Sequence, residues 1–117
     1  MSNTIVGNIK ISYYKVENMT NVDLILFGKV DKTKINQTHV KVYDESDVEI
    51  PNDRHELLEH LFKKFNDPNN PLSNVESQEF IKQNRLHTSM SVGDIVEINV
   101  LGKVEIWSCG GFGWQKI

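Results

Sequence analysis

The chain has 117 residues, a formal net charge of −3 and one cysteine. This length suits a single domain that buries a core without disulfides or metal, and 38% hydrophobic with 25% charged residues excludes a disordered chain. The acidic balance argues against a protein whose main task is to hold phosphate backbones. The lone cysteine fits a reducing compartment, and no apolar run is long enough to span a membrane. We therefore expect a cytoplasmic protein, in its source cell or a host cell, without a membrane partner.

Residues 1–50 are predicted to be rich in β-structure. The stretch TIVGNIKISYYKV alternates through Ile9, Ile11 and Tyr13, the stretch VDLILFGKV is a short run of strand formers, and THVKVYD alternates again. These patterns predict three or four strands before residue 50.

The middle of the chain, residues 52–84, is predicted to be helical. An amphipathic helix over about 53–66 places five apolar side chains on one face: Leu57, Leu58, Leu61, Phe62 and Phe65. Asp53 and Glu56 have the spacing of a capping box at its start, and the proline-rich stretch NDPNNPLSN ends it. Ser73 has the same spacing before Glu76, which predicts a short second helix over about 74–84.

The segment HELLEH inside the main helix resembles the zinc signature H-E-x-x-H, in which two histidines lie one helical turn apart. Here His55 and His60 are five residues apart, so their side chains point about 140° apart around the helix axis. The spacing therefore predicts no metal site.

The C-terminal part, residues 90–117, is predicted to form a β-hairpin region. Gly93 and Asp94 mark a turn, a strand follows from about 95 to 100, and Leu101 and Gly102 make a tight connection to a partner strand over 103–108. A short final strand follows the glycine-rich stretch. Strands, helices and strands in this order predict one α+β domain, residues 1–117, with an antiparallel sheet.

No catalytic residue or cofactor is predicted. Cys109 lies among glycines that could stabilise an oxyanion, but nothing in the spacing brings His39 or His87 to it as a base. The same glycines lack the Lys-Ser/Thr pair and the helix of a phosphate loop. Asp94 is interpreted as a structural turn residue whose carboxylate caps nearby amides, with Gly93 supplying an unusual backbone angle.

Three aromatic residues, Trp107, Phe112 and Trp114, are the candidates for binding a partner. They lie within eight residues among glycines, and aromatic rings act as anchors at protein interfaces and as stacking platforms for single-stranded nucleic acid. The competing interpretation is that two of the three fill the core. If one ring is exposed, we expect Trp114 or Phe112.

Four segments in order resemble the YodL-like domain, a small module of Gram-positive bacteria, their plasmids and their phages: VKVYDE, LLEHLFKKFN, HTSMSVGDIVEI and GFGWQKI. The match covers about residues 40–117. Residues 89–96 fit the family's Ser-Leu-Ser-Val-x-Asp element, and Gly111 with Phe112, or Gly113 with Trp114, fits its closing Gly-Phe. The resemblance implies a module that occurs alone or attached to anti-restriction and mobile-element proteins, and it implies no reaction.

The sequence favours a non-enzymatic interaction module of phage or mobile-element type that binds a host or cellular protein. An antidefence or host-takeover role suits such a module. The protein could also form a homo-oligomer. The alternative is a small nucleic-acid-binding β-domain that uses the aromatic rings for stacking and four lysines for phosphates: Lys29, Lys32, Lys34 and Lys103. A solvated hairpin loop explains the first three of these lysines better.

Overall fold

The computed structural model describes residues 4–15, 30–84, 86, 90–110 and 113–117. Within them, five strands form one antiparallel sheet in the order β2-β1-β3-β4-β5. The strands are β1 (Thr4–Tyr14), β2 (His39–Pro51), β3 (Ile95–Val100), β4 (Lys103–Gly110) and β5 (Gly113–Lys116). The helices are α1 (Ile35–Thr38), which follows a 3-10 turn over Lys32–Lys34, α2 (Arg54–Phe65) and α3 (Val75–Gln83). The predicted α+β fold with an antiparallel sheet is confirmed.

Both predicted helices are present, and each begins at a side chain that caps it. The carboxylate of Asp53 accepts a hydrogen bond from the backbone N–H of His55 at the start of α2, as expected for a cap. At the start of α3 the prediction is off by one residue, because Asn74 rather than Ser73 accepts from the Ser77 N–H, at 2.8 Å. None of the helices in the described ranges is long and apolar enough to cross a membrane.

Two of the expected strands, β1 and β2, precede α2 in the described part of the chain. The predicted strand VDLILFGKV lies outside the described residues except for Val30. The predicted strand THVKVYD is longer than its alternating pattern indicates, because β2 continues beyond Asp44 to Pro51. It does so by a bulge opposite Asn8, where Asp47 takes a φ of 57° and its N–H bonds the Asn8 side chain.

The core lies between α2 and one face of the sheet. Ile9 and Ile11 of β1 stand directly opposite Ile98 and Val96 of β3, so the four side chains share that face. Against it α2 packs the apolar stripe predicted from the sequence, with Leu57, Leu58, Leu61 and Phe65 buried. Burial of such side chains contributes about 1.5–3 kcal/mol each, so this contact contributes strongly to stability.

The predicted tight connection between β3 and β4 is also confirmed. Leu101 and Gly102 both have positive φ, 53° and 76°, as a two-residue hairpin turn of type I′ requires. The strand order makes β2 and β5 the two edge strands of the sheet that the described residues form.

Candidate functional site

The turn at Gly93 and Asp94 joins three segments of the chain through a buried carboxylate. Gly93 has a φ of 97°, which a side chain would disfavour, and Asp94 is fully buried. The Asp94 Oδ1 atom accepts the backbone N–H of Tyr14 at 3.0 Å, and Oδ2 accepts that of Ser91 at 2.7 Å. The predicted capping role of Asp94 is thus what the structure shows.

His39 ties the start of β2 to the same turn. Its Nε2 atom lies 2.7 Å from the carbonyl oxygen of Gly93, and since a carbonyl only accepts, Nε2 is the donor. His39 is 6% exposed, so this bond is shielded from water. No local pattern of residues indicates this contact, because 54 residues separate its partners.

The ring of Trp114 faces inward rather than outward. Cys109 and Trp114 are paired in register between β4 and β5, and both belong to the buried core, with Trp114 7% exposed. Trp114 is therefore not an exposed ring, because the hairpin register turns its side chain toward α2. Phe112, the other expected exposed ring, lies outside the described residues.

Trp107 takes part in docking α2 onto the sheet. Its ring meets that of His55 edge-on, with centroids 5.2 Å apart, and its Nε1–H donates to Glu105 at 3.1 Å. The ring is half-buried and packs against the core. Of the candidate rings, Trp114 thus fills the core and Trp107 is largely engaged within the fold.

Beside Trp114 lies a cavity of about 410 Å³ between α2, the segment 90–92 and the β4–β5 hairpin. We call it the hairpin groove. Three buried side chains line it: Met90, Cys109 and Trp114. The more accessible lining consists of Glu59, Phe62, Ser91, Val92, Gly110 and Gly113.

One relative shows where this chain belongs. Uncharacterized protein R785 of Acanthamoeba polyphaga mimivirus is 39% identical over 92 residues, which is 78% of each chain. The chain is a member of the R785 family. No protein-family model matches it, and no solved structure does. The relationship to R785 does not bear on the resemblance to the YodL-like domain, which stays a prediction.

In this member of the R785 family, Cys109 is not an activated nucleophile. Burial, together with the carboxylates of Asp94 and Glu59, raises the pKa of its thiol to about 11. The thiol is therefore protonated at neutral pH, the state in which cysteine reacts poorly. Within the described ranges, no group of three His, Cys, Asp or Glu residues is placed to hold a metal.

The lysines of the nucleic-acid hypothesis are not brought together. Lys32 and Lys34 lie just before the His39 end of β2, whereas Lys103 lies at the far end of the sheet, next to the Leu101 turn. Strand β1 runs between these two ends of the sheet, and its residues Tyr14 and Gly7 are roughly 23 Å apart at about 3.3 Å per residue. The two groups of lysines are separated by a similar distance. Lys29 lies outside the described residues.

Proposed function

We propose that this protein is a non-enzymatic interaction module of a viral family that binds and modulates a host protein through the hairpin groove. The observation that carries the proposal is the groove itself, an apolar recess beside the buried ring of Trp114. Its volume falls within the range of about 300–1,000 Å³ that is usual for binding pockets.

The lining of the hairpin groove suits an apolar side chain of a partner protein. The partly exposed side chains of Phe62 and Val92 offer apolar surface to a bound group, and the buried side chains of Met90 and Trp114 form the apolar wall of the groove. Interface anchors bind in such well-packed recesses and contribute most of the affinity. At the mouth, Gly110 and Gly113 let a partner's backbone approach closely, because neither glycine carries a side chain.

An antidefence or host-takeover role suits a family with a viral member, and we keep it as part of the proposal. Stacking of nucleic-acid bases is not favoured by the geometry, since the ring of Trp114 is buried and Lys32 and Lys103 lie at opposite ends of the sheet.

The experiment that tests the proposal is affinity capture of the tagged chain from a lysate of its source or host cell, with and without nuclease. We expect one stoichiometric protein that survives nuclease and is lost with Val92→Glu, which places a charge in the groove. The matched control is Val75→Glu, the same change at a site on α3 that is 75% exposed and outside the groove. Equal capture by both variants, or capture that requires nucleic acid, would refute the proposal.

A further inference from the structure

A second recess lies on the other side of the molecule, along the edge strand β2. A cavity of about 440 Å³ separates four consecutive residues of this strand, 41–44, from α3 and the residue Leu72 before it. We call it the edge groove. It shares no lining residue with the hairpin groove.

The edge groove is lined by β2, which is an edge strand of the sheet that the described residues form. Within the described part of the sheet β2 pairs with β1 alone, so its other side presents backbone N–H and C=O groups that a further strand could pair with. A groove between an edge strand and a helix combines this row of backbone groups with walls that can select side chains. Extended peptides commonly bind in this way.

The walls of the edge groove are mostly apolar. Tyr43 and Lys41 of β2 pair with successive residues of β1, so Val42 between them is an extra, bulged residue. Val42 and Tyr43 both pack against the core. The Tyr43 ring is fixed edge-on to Phe65, with centroids 5.1 Å apart. On the facing wall Phe80 is 41% exposed, an apolar ring that the fold leaves without full cover.

We propose that the edge groove binds an extended, basic segment of a partner protein, which adds a sixth strand to the sheet beside β2. Apolar side chains at alternate positions of this segment lie against Phe80 and Tyr43. The inference goes beyond the proposed function, because it uses a different surface and does not require the hairpin groove to be occupied.

The negative charge of β2 and α3 around the edge groove favours a basic segment as its occupant. The strand carries four carboxylates, Asp44, Glu45, Asp47 and Glu49, of which Asp44 lines the groove, and one lysine, Lys41, which is ion-paired with Asp44 at 2.6 Å. Glu76 adds a carboxylate on the helix side. A segment with lysine or arginine gains from this field, whereas a second copy of this chain brings the same excess of negative charge.

The test is selection of a phage-displayed library of random dodecapeptides on the immobilised, folded chain. We expect enriched peptides with apolar residues at alternate positions and with lysine or arginine between them. In NMR titrations of the labelled protein, these peptides should shift the backbone amides of residues 41–44 and 76–81. Failure to enrich any peptide, or shifts confined to other surfaces, would overturn the proposal.

Matched variants distinguish peptide binding in the edge groove from binding in the hairpin groove. Phe80→Glu should weaken binding of the enriched peptides about tenfold or more, while Val75→Glu on the same helix and Val92→Glu in the hairpin groove should leave it unchanged. Thermal unfolding of each variant shows that the fold is kept. Peptide binding that is insensitive to Phe80→Glu, or a dimer of the chain that this variant dissociates, would contradict the proposed occupant.

Discussion

At the residue scale, the side chain of Asp94 links the segment 90–92, the end of β1 and the start of β3. Its sequence signal was local, since a Gly-Asp pair before an apolar run predicts a turn whose carboxylate caps amides. The identity of one of these amides, that of Tyr14, could not be predicted, because 80 residues separate the two partners.

Replacing this carboxylate should destabilise the fold strongly. In Asp94→Asn, one of the two oxygens becomes an NH₂ group that faces a backbone N–H, so we expect a loss of about 2–3 kcal/mol in the free energy of unfolding. Urea denaturation measures the change. Asp44→Asn removes an exposed ion pair and should cost about 0.5 kcal/mol or less, and an equally small loss at Asp94 would contradict the role of its carboxylate.

The thiol of Cys109 predicts a loss of stability at alkaline pH. Its pKa is raised from 9.0 to about 11, so the folded state keeps a proton that the unfolded state has lost. This contribution is complete below about pH 9 and disappears as the pH rises to about 11. Cys109→Ala should therefore lose less stability than the wild type between pH 8.5 and 10 in parallel denaturation curves. Identical pH profiles would show that the thiol is not protected in this way.

The position of the Trp114 ring could not be predicted from the sequence. Its spacing from Trp107 marked an aromatic cluster, but only the pairing of Cys109 with Trp114 decides which face of the hairpin each ring occupies. A shift of one residue in that register would have turned the ring to the opposite face.

At the scale of elements, α2 was predictable because its apolar periodicity, its cap at Asp53 and its proline-rich stop all agree. How it docks onto β4 was not predictable from local patterns. Arg54 donates from Nε and from one terminal nitrogen to the two oxygens of Glu105, at 3.3 and 3.2 Å, and both side chains are about one-fifth exposed.

Glu105→Gln should weaken this docking. Burial raises the pKa of the Glu105 carboxyl, but hydrogen bonds from Arg54 and Trp107 outweigh burial and hold the pKa below its usual value. The ionised pair therefore stabilises the fold above about pH 4.5 and is lost as the pH falls through the lowered pKa. We expect the free energy of unfolding to fall by about 1–2 kcal/mol at pH 7, and this loss to be smaller at an acidic pH below the lowered pKa of Glu105.

Thermal denaturation at the two pH values tests this expectation. Glu49→Gln, a change to an exposed side chain on β2, should have little effect at either pH. A pH-independent difference for Glu105→Gln would mean that shape rather than charge explains the loss.

The turn between β3 and β4 carries a residue that does not suit its backbone. Leu101 has a φ of 53° and is 80% exposed, whereas asparagine is favoured at this position of a type I′ turn. Leu101→Asn should therefore raise the free energy of unfolding by about 0.5–1 kcal/mol. Leu101→Val should lower it, because β-branched residues resist positive φ. A loss of stability with asparagine would show that the leucine packs more closely than its exposure indicates.

At the scale of the whole molecule, the fold forms two grooves that the order of elements alone does not reveal. The fold class followed from strands, helices and strands in sequence, but the order β2-β1-β3-β4-β5 depends on pairings between residues up to about 90 apart. Both grooves form where segments from distant parts of the sequence meet. For this reason the sequence indicated the Trp114 region without indicating the recess beside it.

The most direct test of the central claim, that the hairpin groove contacts a partner protein, is site-specific photo-crosslinking. A photoreactive phenylalanine analogue is placed at Val92 or, as the control, at Val75, and the chain is irradiated in a lysate of its source or host cell. We expect one dominant protein adduct from position 92 that is absent from position 75. Adducts of equal yield from both positions, or none from position 92, would contradict it.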